Sequence, residues 1–266
     1  MKRQFHKMHG LGNDFVIVDA RERPFELTQA LARAIADRRT GVGCDQLIVL
    51  ERSQVADLRM RIWNSDGGEV ESCGNASRCV VALTGAGTIE TSGGVIDGAA
   101  DGGEVEVTIG EPAFSWEQIP LAYPMDTAAL PMAWDQLEAP MAVNVGNPHL
   151  VFFVDRLESV PLEALGPTIE NDPAFPDRIN VNVAVVDLDG IELRTWERGA
   201  GLTRACGTGA CATAVAAIVS KRTQSPVKVH MPGGTLTIDW EPGGTIRMRG
   251  PAAHVFSGEL DLEAFA

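Results

Sequence analysis

The sequence predicts an α+β fold made of two pseudo-symmetric half-domains. Each is expected to be a curved, mostly antiparallel sheet wrapped around a central buried helix, with the active site in the cleft between them. Three observations lead there. First, Trp63–Leu83 (WNSDGGEVESCGNASRCVVAL) and Trp196–Ala217 (WERGAGLTRACGTGACATAVAA) are built alike. In each, a Trp lies ten positions before a cysteine (Cys73, Cys206) and a polar residue (Asn64, Glu197) nine before it. Gly74 or Gly207 follows the cysteine, and then Asn75 or Thr208. Second, other markers repeat in the same order: Gly12-Asn13 and Gly146-Asn147 each precede an apolar run, and paired glycines follow both cysteine segments. Such ordered self-similarity marks a duplicated structural unit. Third, Gly209–Val219 is small or apolar on every face, as suits a helix buried all round rather than an amphipathic surface helix.

The elements follow in order. Phe5–Asp19 reads as two strand pieces around a glycine-rich turn, His9–Asp14. Leu27–Arg38 reads as a helix with Thr28 as N-cap, ended by Gly41. Gln46–Leu50 and Leu58–Trp63 are strands, and the helix after Cys73 stops at Gly85. Glu104–Ile109 alternates as a strand, and Pro112–Pro140 shows no clear period. The second half repeats the order: strand Leu150–Val154, a short helix at Leu162–Leu165, and strands Val181–Val186 and Ile191–Trp196. The helix after Cys206 then precedes a hairpin of Thr235–Trp240 and Thr245–Arg249. The repeat divides the chain into 1–114, carrying Cys73, and 115–266, carrying Cys206, with the packing of the last strand on the first half left open.

Composition bounds the partners. At 45% hydrophobic and 22% charged residues the chain can bury ordinary cores. A net charge of -14 disfavours nucleic acid, whose binding needs clustered Lys and Arg. No apolar run approaches the roughly 20 residues of a membrane span, and no secretory signal is evident. A cytoplasmic protein without membrane association is expected. Five cysteines, an odd number without an export signal, disfavour a disulfide framework. Their spacings do not match structural zinc, and no metal is expected.

Free thiols at helix starts carry a chemical implication. A helix N-terminus offers partial positive charge and unpaired N–H groups. It favours thiolate, moving a cysteine from about 8.5 towards roughly 3.5–7.5, and it binds carboxylates. Two such devices facing each other would hold a carboxylate with its α-carbon between two sulfurs, an arrangement fit for stereoinversion by two bases. No pyridoxal-phosphate lysine motif or flavin fingerprint is evident, so no cofactor is expected. The substrate is then a small molecule whose carbanion must be stabilised by preorganised dipoles.

The motifs HGLGNDF (His9–Phe15), WNSDG with CGN (Trp63–Asn75), GNPH (Gly146–His149) and ERGAG with ACGTGAC (Glu197–Cys211) resemble those of the diaminopimelate epimerases over essentially the whole chain. The resemblance implies a cofactor-independent interconversion of LL- and meso-diaminopimelate, in lysine and peptidoglycan precursor biosynthesis, by a homodimer. It implies that Cys73 and Cys206 are the acid/base thiols. Gly74-Asn75 and Gly207-Thr208 would bind the reacting carboxylate, and Asn13, Gln46, Asn64, Asn147, Asn180, Glu197 and Arg198 would line the pocket. The positions of His149 and Glu197 are taken in the family to tune the thiols. These types suit a ligand with two ammonium and two carboxylate groups, since Arg198 can grip a carboxylate bidentately and amides both donate and accept.

Leu202, Arg204 and Ala76 depart from common family residues but fall on no matched site position. Cys44, Cys79 and Cys211 read as packing residues, and His6, His9, His230 and His254 as structural. The alternatives are a proline- or hydroxyproline-type racemase of the same architecture and a non-catalytic diamino-acid-binding protein.

Overall fold

The chain folds as two compact units, Met1–Thr108 with Gly250–Ala266, and Ile109–Arg249. A computed structural model describes residues 2–71 and 73–265.

In the first unit β1 (Lys2–Gly10) and β2 (Asn13–Asp19) form a hairpin. Its turn uses positive φ at Leu11 (56°) and Gly12 (90°), the second a glycine because L side chains resist that region. Helix α1 (Gln29–Ala36) starts where Thr28 accepts a hydrogen bond from Leu31 N, as its sequence predicts. Strand β3 (Gln46–Glu51) then runs parallel to β2, and β4 (Leu58–Asn64) turns back antiparallel to β3. The short β5 (Glu69–Val70) pairs with β4 and leads to α2 (Gly74–Thr84), which ends on Gly85 in the left-handed region (φ 70°). Next β6 (Thr88–Thr91) lies parallel to β4, and β7 (Gly94–Asp101) and β8 (Glu104–Gly110) follow as an antiparallel meander.

The second unit retraces these steps. A small hairpin, β9 (Ala133–Trp134) and β10 (Leu137–Glu138), occupies part of the segment without sequence period. Then β11 (Met141–Asn144) pairs antiparallel with β12 (Pro148–Phe153), and α3 (Leu162–Glu170) connects to β13 (Asn180–Val186), parallel to β12. Strands β14 (Ile191–Glu197) and β15 (Gly201–Thr203) lead to α4 (Gly207–Val219). Finally β16 (Val227–Met231) lies parallel to β14, followed by β17 (Gly234–Asp239) and β18 (Ile246–Pro251) in antiparallel succession. Pairing for pairing, including both parallel steps, this is the order of the first unit. The last strand, β19 (Ala253–Asp261), pairs antiparallel with β1.

Each long helix is enclosed by its own sheet. Helix α4 packs on β11, β12, β13, β14, β16 and β17, and α2 packs on β1, β2, β7 and β19. All of α4 from Gly209 to Ala217 is buried. Its run of Gly, Ala, Thr, Cys and Val lets strands close in on all sides, which is the physical content of the uniformly apolar pattern.

Strands β5, β6, β7, β9, β10, β11, β15 and β16 go beyond the segments read from the sequence, and α3 is longer than the expected Leu162–Leu165. The Gly166-Pro167 pair looks like a stop, yet the helix runs through it to Glu170. Packing is the reason: a Cβ at Gly166 would lie 2.4 Å from Cδ2 of Trp196, so the glycine seats α3 against the indole. Helix propensity alone makes Gly166→Ala stabilising by about 0.5–1 kcal/mol. The clash is expected to win, with a net loss of about 1–3 kcal/mol. Urea unfolding of the variant would check this; a stability gain would contradict the packing.

Candidate active site

Both repeat-related cysteines are the residues immediately before a buried helix, with extended backbone: Cys73 before α2 (φ -153°, ψ 108°) and Cys206 before α4 (φ -124°, ψ 111°). The extended N-cap conformation turns the side chain back over the first turn, where N–H groups lack intrahelical acceptors. Gly74 and Gly207 are thus the first helical residues, followed by Asn75 and Thr208.

In the first unit the start of β2 lies beside Cys73. Asn13 Oδ1 lies 3.9 Å from Cys73 Sγ and accepts from Asn75 Nδ2 at 3.2 Å. Asn13 Nδ2 donates to Asp45 at 2.9 Å. Gln46 and Asn64 face each other across β3 and β4, Gln46 Nε2 donating to Asn64 Oδ1 at 2.9 Å. Gln46 Oε1 is buried with no hydrogen-bond partner among the described residues. Asn75 Oδ1 accepts from the fully buried Arg78 at 2.8 Å. Behind Asp45 stands an ionic cluster in which Asp14 receives Lys7 and Arg38, and Arg38 also reaches Asp45 at 2.7 Å. Burial pushes the Asp14 carboxyl up, but hydrogen bonds from Arg38 and Lys7 outweigh it and hold the group well below the usual carboxylate range. A surface cavity of about 460 Å³ runs along α1, lined by Arg33, Arg38, Cys44, Asp45 and Ser65 among others; Cys73 is not in its lining.

The second unit assembles its polar residues differently. Gly209 N donates to Cys206 Sγ at 3.3 Å, and Thr208 Oγ1 lies 3.6 Å from the sulfur. The Glu197 carboxylate is near enough to act electrostatically on the thiol, and its Oε1 accepts from Thr203 Oγ1 at 2.5 Å. Asn147 Oδ1 is 2.9 Å from His149 Nε2, and His149 is completely buried. Asn180 bridges two loops: its Nδ2 donates to Pro148 O at 2.8 Å, and its Oδ1 accepts from Arg198 N at 2.9 Å. The Arg198 side chain is half-buried and donates to Asp177 O at 2.7 Å.

One expectation from the sequence is overturned here. A helix start was expected to depress the thiol, but the Cys206 thiol is pushed well above its ordinary value, first by burial and then by the Glu197 carboxylate. Hydrogen bonds from Thr208 and Gly209 oppose the shift and lose. Sequence periodicity could not weigh these effects, because burial is a property of the assembled unit.

Of the matched residues, Asn13 stands beside Cys73, and Glu197 and Thr208 stand beside Cys206. Gln46 and Asn64 hold each other, and Asn147, Asn180 and Arg198 are held by neighbours within the second unit. The sequence reading missed several that hold them. Asp45 orients Asn13, and Arg78 orients Asn75. Buried Glu170 accepts from Trp196 Nε1 and Gly199 N, both at 2.8 Å, fixing the turn that carries Glu197 and Arg198. Asn182 and Thr195 lie against the first turn of α4: a Cβ at Gly209 would sit 2.6 Å from Asn182 Oδ1 and 3.0 Å from Thr195 Oγ1. One signal was available. In Asn-Val-Asn-Val (180–183) the two asparagines alternate on one face of an otherwise apolar strand.

Comparison with known proteins matches these residues to a family. The family model described as "Diaminopimelate epimerase" aligns with residues 5–115 and 141–255. The chain belongs to the diaminopimelate epimerase family. It is 64% identical to the diaminopimelate epimerase of Rhizorhabdus wittichii, covering 100% of this chain and 98% of that one. Identity to the enzyme of the same name from Sphingopyxis alaskensis is 60%, covering 100% of both chains. Among solved structures, a phenazine biosynthesis PhzF-family protein of Enterococcus faecalis superposes with a TM-score of 0.72 at 12% identity, over 98% of this chain and 99% of that one. A probable proline racemase from Agrobacterium radiobacter K84 gives 0.69 at 16% identity, over 99% and 95%. At such identities the structural likeness establishes the shared fold and no more. No helix among the described residues is long and apolar enough to cross a membrane.

Exposure separates the two thiols of this diaminopimelate epimerase family member. Cys73 is half-buried, whereas Cys206 is 3% exposed. Burial raises Cys44 to about 11 and Cys79 to about 12. Alkylation with iodoacetamide at neutral pH, followed by peptide mass mapping, is expected to label Cys73 first. Glu197→Gln removes a carboxylate that raises the Cys206 thiol, so the pH at which Cys206 becomes reactive should fall. An unchanged or higher reactivity pH in that variant would contradict the assigned role of the carboxylate.

Proposed function

We propose that this protein interconverts LL- and meso-diaminopimelate without a cofactor, using Cys73 and Cys206 as a two-base pair. The observation that carries the reading is the duplicated device: two thiols, each at the start of a helix packed against its own strands, in a chain of the diaminopimelate epimerase family. A single base would have to cross from one face of the α-carbon to the other. Two bases, one thiolate and one thiol, need not move.

The reaction starts with one sulfur deprotonated. Burial and Glu197 favour the protonated form of Cys206, which suits it as the initial acid and leaves the thiolate role to Cys73. The thiolate takes the α-proton from one face, and the opposite thiol delivers its proton to the other. Charge and proton have then exchanged places between the sulfurs, and the reverse reaction resets them. The carbanion between these steps spreads charge into its carboxylate as an enediolate. The first-turn N–H groups at Gly74-Asn75 and Gly207-Thr208 are the donors for that charge, worth most where water is excluded.

Asn13, Gln46, Asn64, Asn147, Asn180, Glu197 and Arg198 make up the remaining binding set, with Arg198 as the cation for the distal carboxylate. The assignment of a role in lysine and peptidoglycan precursor synthesis, of a cytoplasmic location and of a homodimer follows from the family and belongs to this proposal.

Incubation with LL-diaminopimelate in heavy water tests it. Deuterium is expected at the inverted α-carbon, and proline is expected to remain unexchanged. A protein that binds diaminopimelate without exchange would be a binding protein only. Cys73→Ser and Cys206→Ser are each expected to lower kcat by orders of magnitude with unfolding midpoints near wild type. Wild-type turnover in either variant would exclude the two-base assignment.

A further inference from the structure

Asn13 and Asn147 occupy matched positions in the repeat, yet they are held in opposite hydrogen-bond senses. At Asn13 the amide nitrogen is taken by the Asp45 carboxylate, which can only accept, so the oxygen is what faces Cys73 and Asn75. At Asn147 the oxygen lies against His149 Nε2. That contact fixes the amide only if Nε2 carries the ring proton, and the neighbours of the ring decide this.

Leu150 O can only accept, so the Asn182 atom 2.9 Å from it is the amide nitrogen. The same nitrogen lies 3.1 Å from His149 Nδ1, and Thr195 Oγ1 donates to Asn182 Oδ1 at 3.0 Å. The two amide hydrogens thus go to Leu150 and to the ring. Nδ1 accepts, and the hydrogen sits on Nε2. Asn147 must turn its oxygen to that hydrogen, which leaves its NH2 as the group to offer a ligand. Complete burial, reinforced by the charge of Arg198, holds the imidazole down to about 3, consistent with a neutral ring.

We infer that Thr195, Asn182 and His149 form a directed hydrogen-bond relay whose output is the orientation of Asn147, set as a donor to a ligand carboxylate while its repeat partner Asn13 is set as an acceptor. His149 is then a positioning residue with a fixed tautomer, rather than a group that tunes the thiols by titrating. Reversed polarity at two matched positions lets halves of one repeat read unlike groups on a ligand. What Asn147 binds rests on the proposed activity; the relay itself does not.

The ligand-free protein tests the relay directly. With histidine labelled at both ring nitrogens, long-range proton–nitrogen correlation distinguishes the tautomers, and His149 is assigned by the signal lost in His149→Gln. A neutral Nε2–H ring is expected throughout the range of about pH 5 to 8 in which a free imidazole titrates. An Nδ1–H ring, or protonation within that range, overturns the relay whatever the activity. In the diaminopimelate assay, Gln at this position can accept from Asn182 and donate to Asn147, whereas Leu can do neither. His149→Gln should keep KM within about threefold of wild type, while His149→Leu raises KM roughly tenfold with a smaller fall in kcat. Equal losses in both variants, or a loss confined to kcat, would overturn it. A wild type that fails to epimerise defeats the proposed activity, and the tautomer alone then decides the relay.

Discussion

A helix enclosed by its own sheet can present only its ends to a ligand. Every flank of α4 from Gly209 to Ala217 is buried, so the backbone polar groups that the helix does not use internally are confined to its termini. The residue placed there is a cysteine, in an N-cap position where Ser, Thr, Asp or Asn would ordinarily accept the first-turn N–H. Sulfur is a weaker acceptor than oxygen, and Gly209 N donates to Cys206 Sγ at 3.3 Å, an ordinary separation for the larger atom. The cap gives up hydrogen-bond strength and gains a group that can exchange a proton. Cys73 likewise occupies the N-cap position of α2, there without a side-chain cap bond.

The electrostatics of Cys206 turn on magnitudes. A helix N-terminus favours a negative group by typically 0.3–1 kcal/mol, reaching about 2 in partly buried settings. Moving an ion out of water costs several kcal/mol even after relaxation. At 3% exposure burial wins, and the nearby Glu197 carboxylate adds to it. The first-turn amides of α4 therefore do not ionise the resting Cys206 thiol, which leaves them free for the carboxylate-binding role proposed above.

The two units share a topology but hold their matched asparagines, Asn13 and Asn147, by different means. In the first, charge does the orienting: Lys7, Asp14, Arg38 and Asp45 form a partly exposed ionic cluster, and Asp45 anchors Asn13. In the second, a buried neutral chain through Thr195, Asn182 and His149 anchors Asn147. The difference follows from burial. Full charges are tolerable where Arg38 reaches water, whereas inside β12 and β13 only satisfied neutral groups avoid the cost of desolvation.

Much of this was legible in the residue order. The repeat, the two cysteine-led helices, the Thr28 cap and most strands follow from patterns that depend on local geometry, where helix and strand periods sort apolar from polar side chains. The candidate site residues were picked out as motifs, because Gly after Cys and the paired asparagines recur at matched spacing. What needed the folded protein was whatever depends on neighbours distant in sequence. Gly166 and Pro167 look like a helix end until Trp196 is seen filling the space a side chain would take. Asn182 and Thr195 look like ordinary strand residues until they meet His149 and the first turn of α4. The direction in which the Cys206 thiol shifts was misjudged for the same reason. Sequence determined which groups are available and which element carries each; tertiary packing decided how much water each keeps and which lone pair or hydrogen it points at its neighbour. Desolvation and hydrogen-bond direction arise between elements, and no single stretch of chain contains them.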